Sequence, residues 1–134
     1  MTSEVIYKGG LRTESKHLRS GTVIITDAPV DNHGKGESFS PTDLVATSLA
    51  SCILTIVGIM AERKNIDIEG AKAEIEKVMA SEPRRISAIK VKIQMPDKEY
   101  TDQEKKLIEK TAAQCPVGNS LHPDLDQDVT IVWA

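Results

Sequence analysis

The stretch that decides the fold is Ser40-Pro41-Thr42-Asp43-Leu44-Val45-Ala46-Thr47-Ser48-Leu49-Ala50-Ser51-Cys52-Ile53-Leu54-Thr55-Ile56-Val57-Gly58-Ile59-Met60-Ala61. Ser40 suits a helix N-cap. Pro41 suits the first helical position, where its missing N–H costs nothing. Asp43 stands three residues past the cap, near the capping-box position and favourable to the helix dipole. A helix is expected from here to Lys64, with Asn65 as its stop. Leu44 to Ala61 carries no charged residue and reaches the lower limit for spanning a bilayer. It also holds Thr47, Ser48, Ser51, Thr55 and Gly58, and its flanks lack an aromatic belt or a basic cluster. The run therefore reads as the core helix of a soluble protein, not as a membrane span.

This helix is apolar around most of its circumference, through Leu44, Val45, Leu49, Ile53, Leu54, Ile56, Val57 and Ile59. One small sheet can cover only one side of it. A second copy of the chain is the surface expected to cover the rest, so a homodimer is expected.

Outward from the helix, the N-terminal flank reads as strands and the C-terminal flank as strands with a helical insert. Val5 to Tyr7 is a short apolar start broken by Gly9-Gly10, and Leu11 to Leu18 is extended and polar. After the Ser20-Gly21 turn, Thr22 to Thr26 is rich in β-branched residues, which makes a small antiparallel meander. Asp27 to Phe39, with Pro29, Asp31, Asn32, Gly34 and Gly36, is a loop that reads equally as a binding lid or a solvated crossover. On the far side, Ile66 to Ala80 reads as extended. Ile89, Val91, Ile93 and Met95 then alternate with Lys90, Lys92 and Gln94 in the clearest strand. Thr101 to Glu104 opens a second helix ending near Gln114, Cys115-Pro116-Val117 opens a short helical turn, and Val129 to Trp133 is the last strand. With no repeat, low-complexity tract or linker, the expectation is one α+β domain over residues 1–134, with helices on antiparallel sheet.

Composition removes several functions. Seventeen basic against twenty acidic residues leave a net charge of −3, which argues against a duplex-DNA binder. Four aromatics leave little on which to stack single-stranded bases. No basic n-region precedes an apolar run at the start, so a cytoplasmic setting is expected. A lone cysteine pair there is more often catalytic or redox-sensing than a structural staple.

The pair consists of Cys52 and Cys115. Cys52 lies mid-helix in an apolar setting, where it is either inert packing or a thiolate that needs a nearby cation. Cys115 directly precedes Pro116 and is expected at a helix N-cap. That position would make it the more acidic thiol and a good leaving group in exchange, unless it merely fills a tight turn. The cysteines together with His17, His33 and His122 lack metal-ligand spacing, so no metal is expected. Gly34-Lys35-Gly36 has no phosphate-loop context.

Two motifs carry a family resemblance. Phe39-Ser40-Pro41-Thr42-Asp43-Leu44, with Ala50-Ser51-Cys52 in the same helix, resembles the first motif of the OsmC/Ohr family of osmotically inducible and organic-hydroperoxide-resistance proteins. Cys115-Pro116-Val117-Gly118-Asn119-Ser120-Leu121-His122-Pro123 resembles its second cysteine motif. The resemblance implies an intertwined homodimer with two central helices wrapped by sheet. It also implies a thiol peroxidase that reduces organic hydroperoxides without metal, haem or flavin. Cys52 would attack and Cys115 would resolve, which revises the acidity argument: the helix-start cysteine serves as leaving group. A dithiol, in similar proteins a lipoylated protein, would regenerate the pair. A non-enzymatic redox sensor or small-molecule-binding protein on the same fold is the alternative.

The resemblance also implies an arginine from the N-terminal strands that holds the thiolate, and a carboxylate near the start of the central helix. Thr42 stands where one branch has its glutamate, and Asp43 follows one later, as either a functional match or a simple cap. Asp43 and Cys52 are nine positions apart, ~13.5 Å of rise and about half a turn out of phase in a straight helix. An Asp43 that serves the thiol would have to come from the partner subunit. Arg12 is favoured for the cation, because Gly9-Gly10-Leu11-Arg12 resembles the family's glycine-then-arginine stretch. Arg19 is the runner-up; seven positions apart, the two would face opposite sides of an unbroken strand.

Overall fold

Capping chemistry sets the longest element. In the computed structural model, which describes residues 1–134, the Ser40 hydroxyl accepts from the Asp43 amide at 3.0 Å and the Asp43 carboxylate accepts from the Ser40 amide at 2.9 Å. Helix α1 runs from this reciprocal cap over Pro41–Arg63. It ends where Asn65 turns left-handed, at a φ of 56°. The sequence expectation holds to within a residue at each end.

The chain forms two compact units, Met1–Val45 and Ala46–Ala134. In the first, β1 (Ser3–Gly9), β2 (Arg12–His17) and β3 (Val23–Asp27) make the expected antiparallel meander. Gly9, Gly10 and Leu11 all take positive φ in the β1–β2 turn, which is why glycines stand there. The register pairs Ser3 with His17, and Arg12 with Asp27. Thr26 and Asp27 are buried, whereas Val5, Ile6, Tyr7, Val23, Ile24 and Ile25 are exposed. The Asp27–Phe39 loop contains one 3-10 turn over Val30–Asn32.

In the second unit, β4 (Lys72–Ala80), β5 (Arg85–Gln94) and β6 (Asp126–Val132) form a sheet in that order. Strand β5 shows the expected alternation. Ile89, Val91 and Ile93 are buried, as is Met95 just beyond, while Lys90, Lys92 and Gln94 are exposed. Leu49, Ala50, Ile53 and Val57 of α1 and Ile108 of α2 (Asp102–Ala112) join this core. Helix α2 has a full capping box between Thr101 and Glu104. Two details differ from expectation. Strand β4 begins only at Lys72, because Asp67 accepts from the Glu69 amide at 2.9 Å and turns the chain. Strand β6 pairs with β5 in parallel, not antiparallel. A parallel return needs a long crossover, and the segment with α2 and α3 (Pro116–Ser120) supplies one.

The most apolar 18-residue window of α1 has a mean hydropathy of 2.2, and 33% of it is buried within one chain. By length and composition this helix could cross a membrane.

Candidate functional site

In the second unit, α1 and α3 bring the two thiols together. Cys52 is half-buried and Cys115 is buried, 4% exposed. Cys115 is the N-cap of α3, as its place before Pro116 foretold, with extended backbone at φ −63° and ψ 123°. Its Sγ accepts from the Gly118 amide at 3.5 Å. The same thiol faces the Leu49 carbonyl of α1 at 3.9 Å, and Cys52 packs against the buried cluster that holds Cys115. Leu49 precedes Cys52 by three residues, so both lie on one stripe of the helix.

The acidity expected of Cys115 is overturned. Burial pushes its thiol above the ordinary value, and the neighbouring Cys52 pushes the same way. The Gly118 and Val117 amides oppose this but do not prevail. A helix start stabilises a thiolate only if the sulfur is not desolvated at the same time. The turn itself is held from β6: Gln127 Nε2 donates to the Gly118 carbonyl at 2.9 Å. A Cβ on Gly118 would meet Gln127 Oε1 at 2.7 Å, so a larger residue there would displace the Gln127 amide from this turn. A cavity of about 600 Å³ adjoins Cys115, lined by Leu49, Ile53, Ala112, Gln127 and Ile131 among others.

The first unit holds the candidate cation. Arg12 Nε and Nη2 donate to the two oxygens of Asp27 at 2.7 and 2.9 Å, a two-point fork. Nη2 also reaches Glu37 at 3.5 Å. Asp27 is 1% exposed, and its amide donates to the Phe39 carbonyl at 3.1 Å. The hydrogen bond from Arg12 holds the Asp27 carboxyl below the usual carboxylate range, against the cost of burial. Arg12 in turn is raised above its ordinary value by that bond. Arg19 lies past the end of β2 in an exposed turn, so the question of opposite strand faces does not arise. The Asp43 carboxylate accepts from the Ser40 amide in the cap of α1.

Asp27 and Glu37 are the charged residues that sequence reasoning missed. Asp27 was legible only as the start of a loop. Its signal lay in the meander, because counting back from the turns sets Asp27 opposite Arg12.

Comparison with known proteins places these motifs. The profile of the family described as OsmC-like protein matches residues 34–129. A Psychrobacter arcticus protein, provisionally described as an osmotic stress induced and detoxification response protein, is 55% identical in sequence. Its crystal structure superposes with a TM-score of 0.94 over 98% of this chain and 96% of that one. An organic hydroperoxide resistance protein of Legionella pneumophila shares the fold at 16% identity, with a TM-score of 0.75 over 98% and 96% of the two chains. One from Elizabethkingia anophelis, with thiocyanate bound, does so at 18% identity, with a TM-score of 0.70 over 100% and 97%. A comparison with curated proteins gives no match.

Proposed function

The chain belongs to the OsmC-like protein family, and on that premise we propose that it is a homodimeric, cysteine-based peroxidase for organic hydroperoxides. The observation that carries this reading is the packing of Cys52 on α1 into the cluster that holds Cys115, the N-cap of α3, whose thiol meets α1 at Leu49, one turn before Cys52. The Cys52 thiolate attacks the terminal peroxide oxygen, the O–O bond breaks, and an alcohol leaves as Cys52 becomes a sulfenic acid. The Cys115 thiol displaces water from that sulfenic acid and a Cys52–Cys115 disulfide forms. A dithiol, such as a lipoylated protein, reduces the disulfide by two successive exchanges and is itself oxidised.

Arg12 is the candidate for charged support of the thiolate, while the Asp43 carboxylate closes the cap of α1. A cation is the element Cys52 needs, because a mid-helix thiol gains nothing from a helix end. The need for a dithiol fits a reducing compartment such as the cytoplasm. The names of the Legionella and Elizabethkingia proteins agree with a hydroperoxide substrate.

A thiol count before and after one equivalent of tert-butyl hydroperoxide tests the reading. Wild type is expected to lose two thiols to a disulfide and to turn over repeatedly with dihydrolipoamide. Survival of both thiols in excess peroxide would sink it. A single round of oxidation without turnover would leave a redox sensor instead.

A further inference from the structure

We propose that Asp27 is the positioning residue for Arg12, gripping one edge of the guanidinium so that the Nη1 edge is presented to an anionic reactant; this rests on the peroxidase reading above. A guanidinium has five N–H donors in a rigid plane. Nε and one side of Nη2 are taken by Asp27 at 2.7 and 2.9 Å, and Nη2 also reaches Glu37 at 3.5 Å. Nη1 makes no hydrogen bond or ion pair, although the Arg12 side chain is only 32% exposed. One edge of the fork is therefore saturated by carboxylate and the other is left as a donor pair.

The gripping carboxylate is itself fixed. Asp27 is 1% exposed and sits at the end of β3, directly opposite Arg12 in the ladder. Its own amide donates to the Phe39 carbonyl at 3.1 Å, which ties the end of β3 to the start of α1. Arg12 alone could sweep many rotamers, and a cation that must meet a developing charge loses rate when it is free to do so. Asp27 removes that freedom, because both of its oxygens are engaged and water is excluded from it. Glu37, at longer range and 65% exposed, cannot do the same.

Asp27 here acts through Arg12 and touches no reacting atom. Its removal should therefore matter only while Arg12 is present. The rate of Cys52 oxidation by cumene hydroperoxide, measured in the full-length protein, gives the test. Asp27→Asn is expected to slow oxidation about 10- to 100-fold, the range that misplacement of a positioned group produces. Arg12→Ala is expected to slow it at least as much. The double variant should be no slower than Arg12→Ala, whereas independent, additive losses would overturn the proposal. A second readout separates the two half-reactions in turnover with dihydrolipoamide: Asp27→Asn should lower kcat/KM for the hydroperoxide and leave the rate of disulfide reduction unchanged. A loss confined to the reduction step would also overturn the proposal. Should Asp27→Asn not fold, Arg12→Lys keeps a charge beside the buried carboxylate but lacks the fork. A wild-type rate in Arg12→Lys would defeat the proposal. Wild-type protein that does not react with peroxide at all would instead refute the peroxidase reading itself.

Discussion

The Sγ of Cys115 lies 3.9 Å from the carbonyl oxygen of Leu49, so a residue 66 positions along the chain meets α1 one turn before Cys52. The contact explains how two distant motifs become one thiol pair. Cys115 has one proton, and the Leu49 carbonyl is the acceptor it faces. Burial first, and the neighbouring Cys52 after it, favour keeping that proton. Cys115 is thus the partner that stays protonated.

That asymmetry predicts the alkylation behaviour of Cys115. Its folded value is raised, chiefly by burial, and further by Cys52. Iodoacetamide labelling followed by peptide mass spectrometry should show a midpoint above the ~8.5 of a free thiol. In Cys52→Ser the midpoint should fall but stay above that value, because burial is the larger cause. The linkage has a definite sign: the stability tied to a protonated Cys115 is full below about pH 8.5 and is lost as pH rises through the folded value. A midpoint below that of free cysteine would contradict the arrangement.

Separate products are expected from the two cysteine variants. In Cys115→Ser the Cys52 sulfenic acid has no partner and should be trapped by dimedone, then pass to sulfinic acid in excess peroxide. In Cys52→Ser, Cys115 should stay a free thiol under the same treatment, because a buried, protonated sulfur is a poor nucleophile. Mass spectrometry of the two proteins decides this, and rapid oxidation of Cys115 in Cys52→Ser would reverse the assignment of roles.

The features legible in the sequence were the local ones. Ser40, Pro41 and Asp43 announced the start of α1 within four residues, Pro116 announced the α3 cap, and the 89–95 alternation announced β5. What escaped depends on residues far apart in the chain. Parallel pairing of β6 is set by the crossover and not by the strand's own residues. The raised thiol of Cys115 follows from packing against Leu49, which no local rule supplies. Asp27 gave no sign of its role because its meaning comes from strand register, and register is set by turns and by which face is buried.

The dual reading of Asp43 separates on a pair of variants. Ser40→Ala removes the hydroxyl of the cap and leaves the carboxylate, while Asp43→Asn removes the charge. Each should lower stability by about 1 kcal/mol, the ordinary worth of an N-cap. With Asp27 as the grip on Arg12, both variants are expected to oxidise at the wild-type rate. Stopped-flow oxidation with cumene hydroperoxide checks this, and a slow Asp43→Asn beside a normal Ser40→Ala would give Asp43 a catalytic share.

Acid titration should reveal the Arg12–Asp27 pair independently of any activity. The Asp27 carboxyl is held below its ordinary range, first by the Arg12 hydrogen bond. A depressed carboxyl contributes stability that is present above the unfolded value of ~3.9 and is lost as pH falls through the folded value. The difference in melting temperature between wild type and Asp27→Asn should be constant from neutral pH to about pH 5 and shrink below about pH 4. Thermal melts followed by circular dichroism measure it. A difference unchanged at pH 3 would show that the carboxylate is not stabilised by its partner.

The apolar surface of one chain predicts its assembly. Two thirds of the most apolar window of α1 is not buried within the chain, with Val45 and Ile59 exposed, and the first sheet exposes Val5, Ile6, Tyr7, Ile24 and Ile25. Soluble monomers rarely leave contiguous apolar patches beyond a few hundred Å². A second copy of the chain covering these faces predicts a dimer in detergent-free buffer. Sedimentation equilibrium at micromolar concentration should give twice the 14.6 kDa chain mass. Ile24→Asp and Ile59→Glu should each weaken association, because an unpaired charge buried in an interface is costly. A wild-type monomer, or a protein that floats with lipid vesicles, would overturn the dimer.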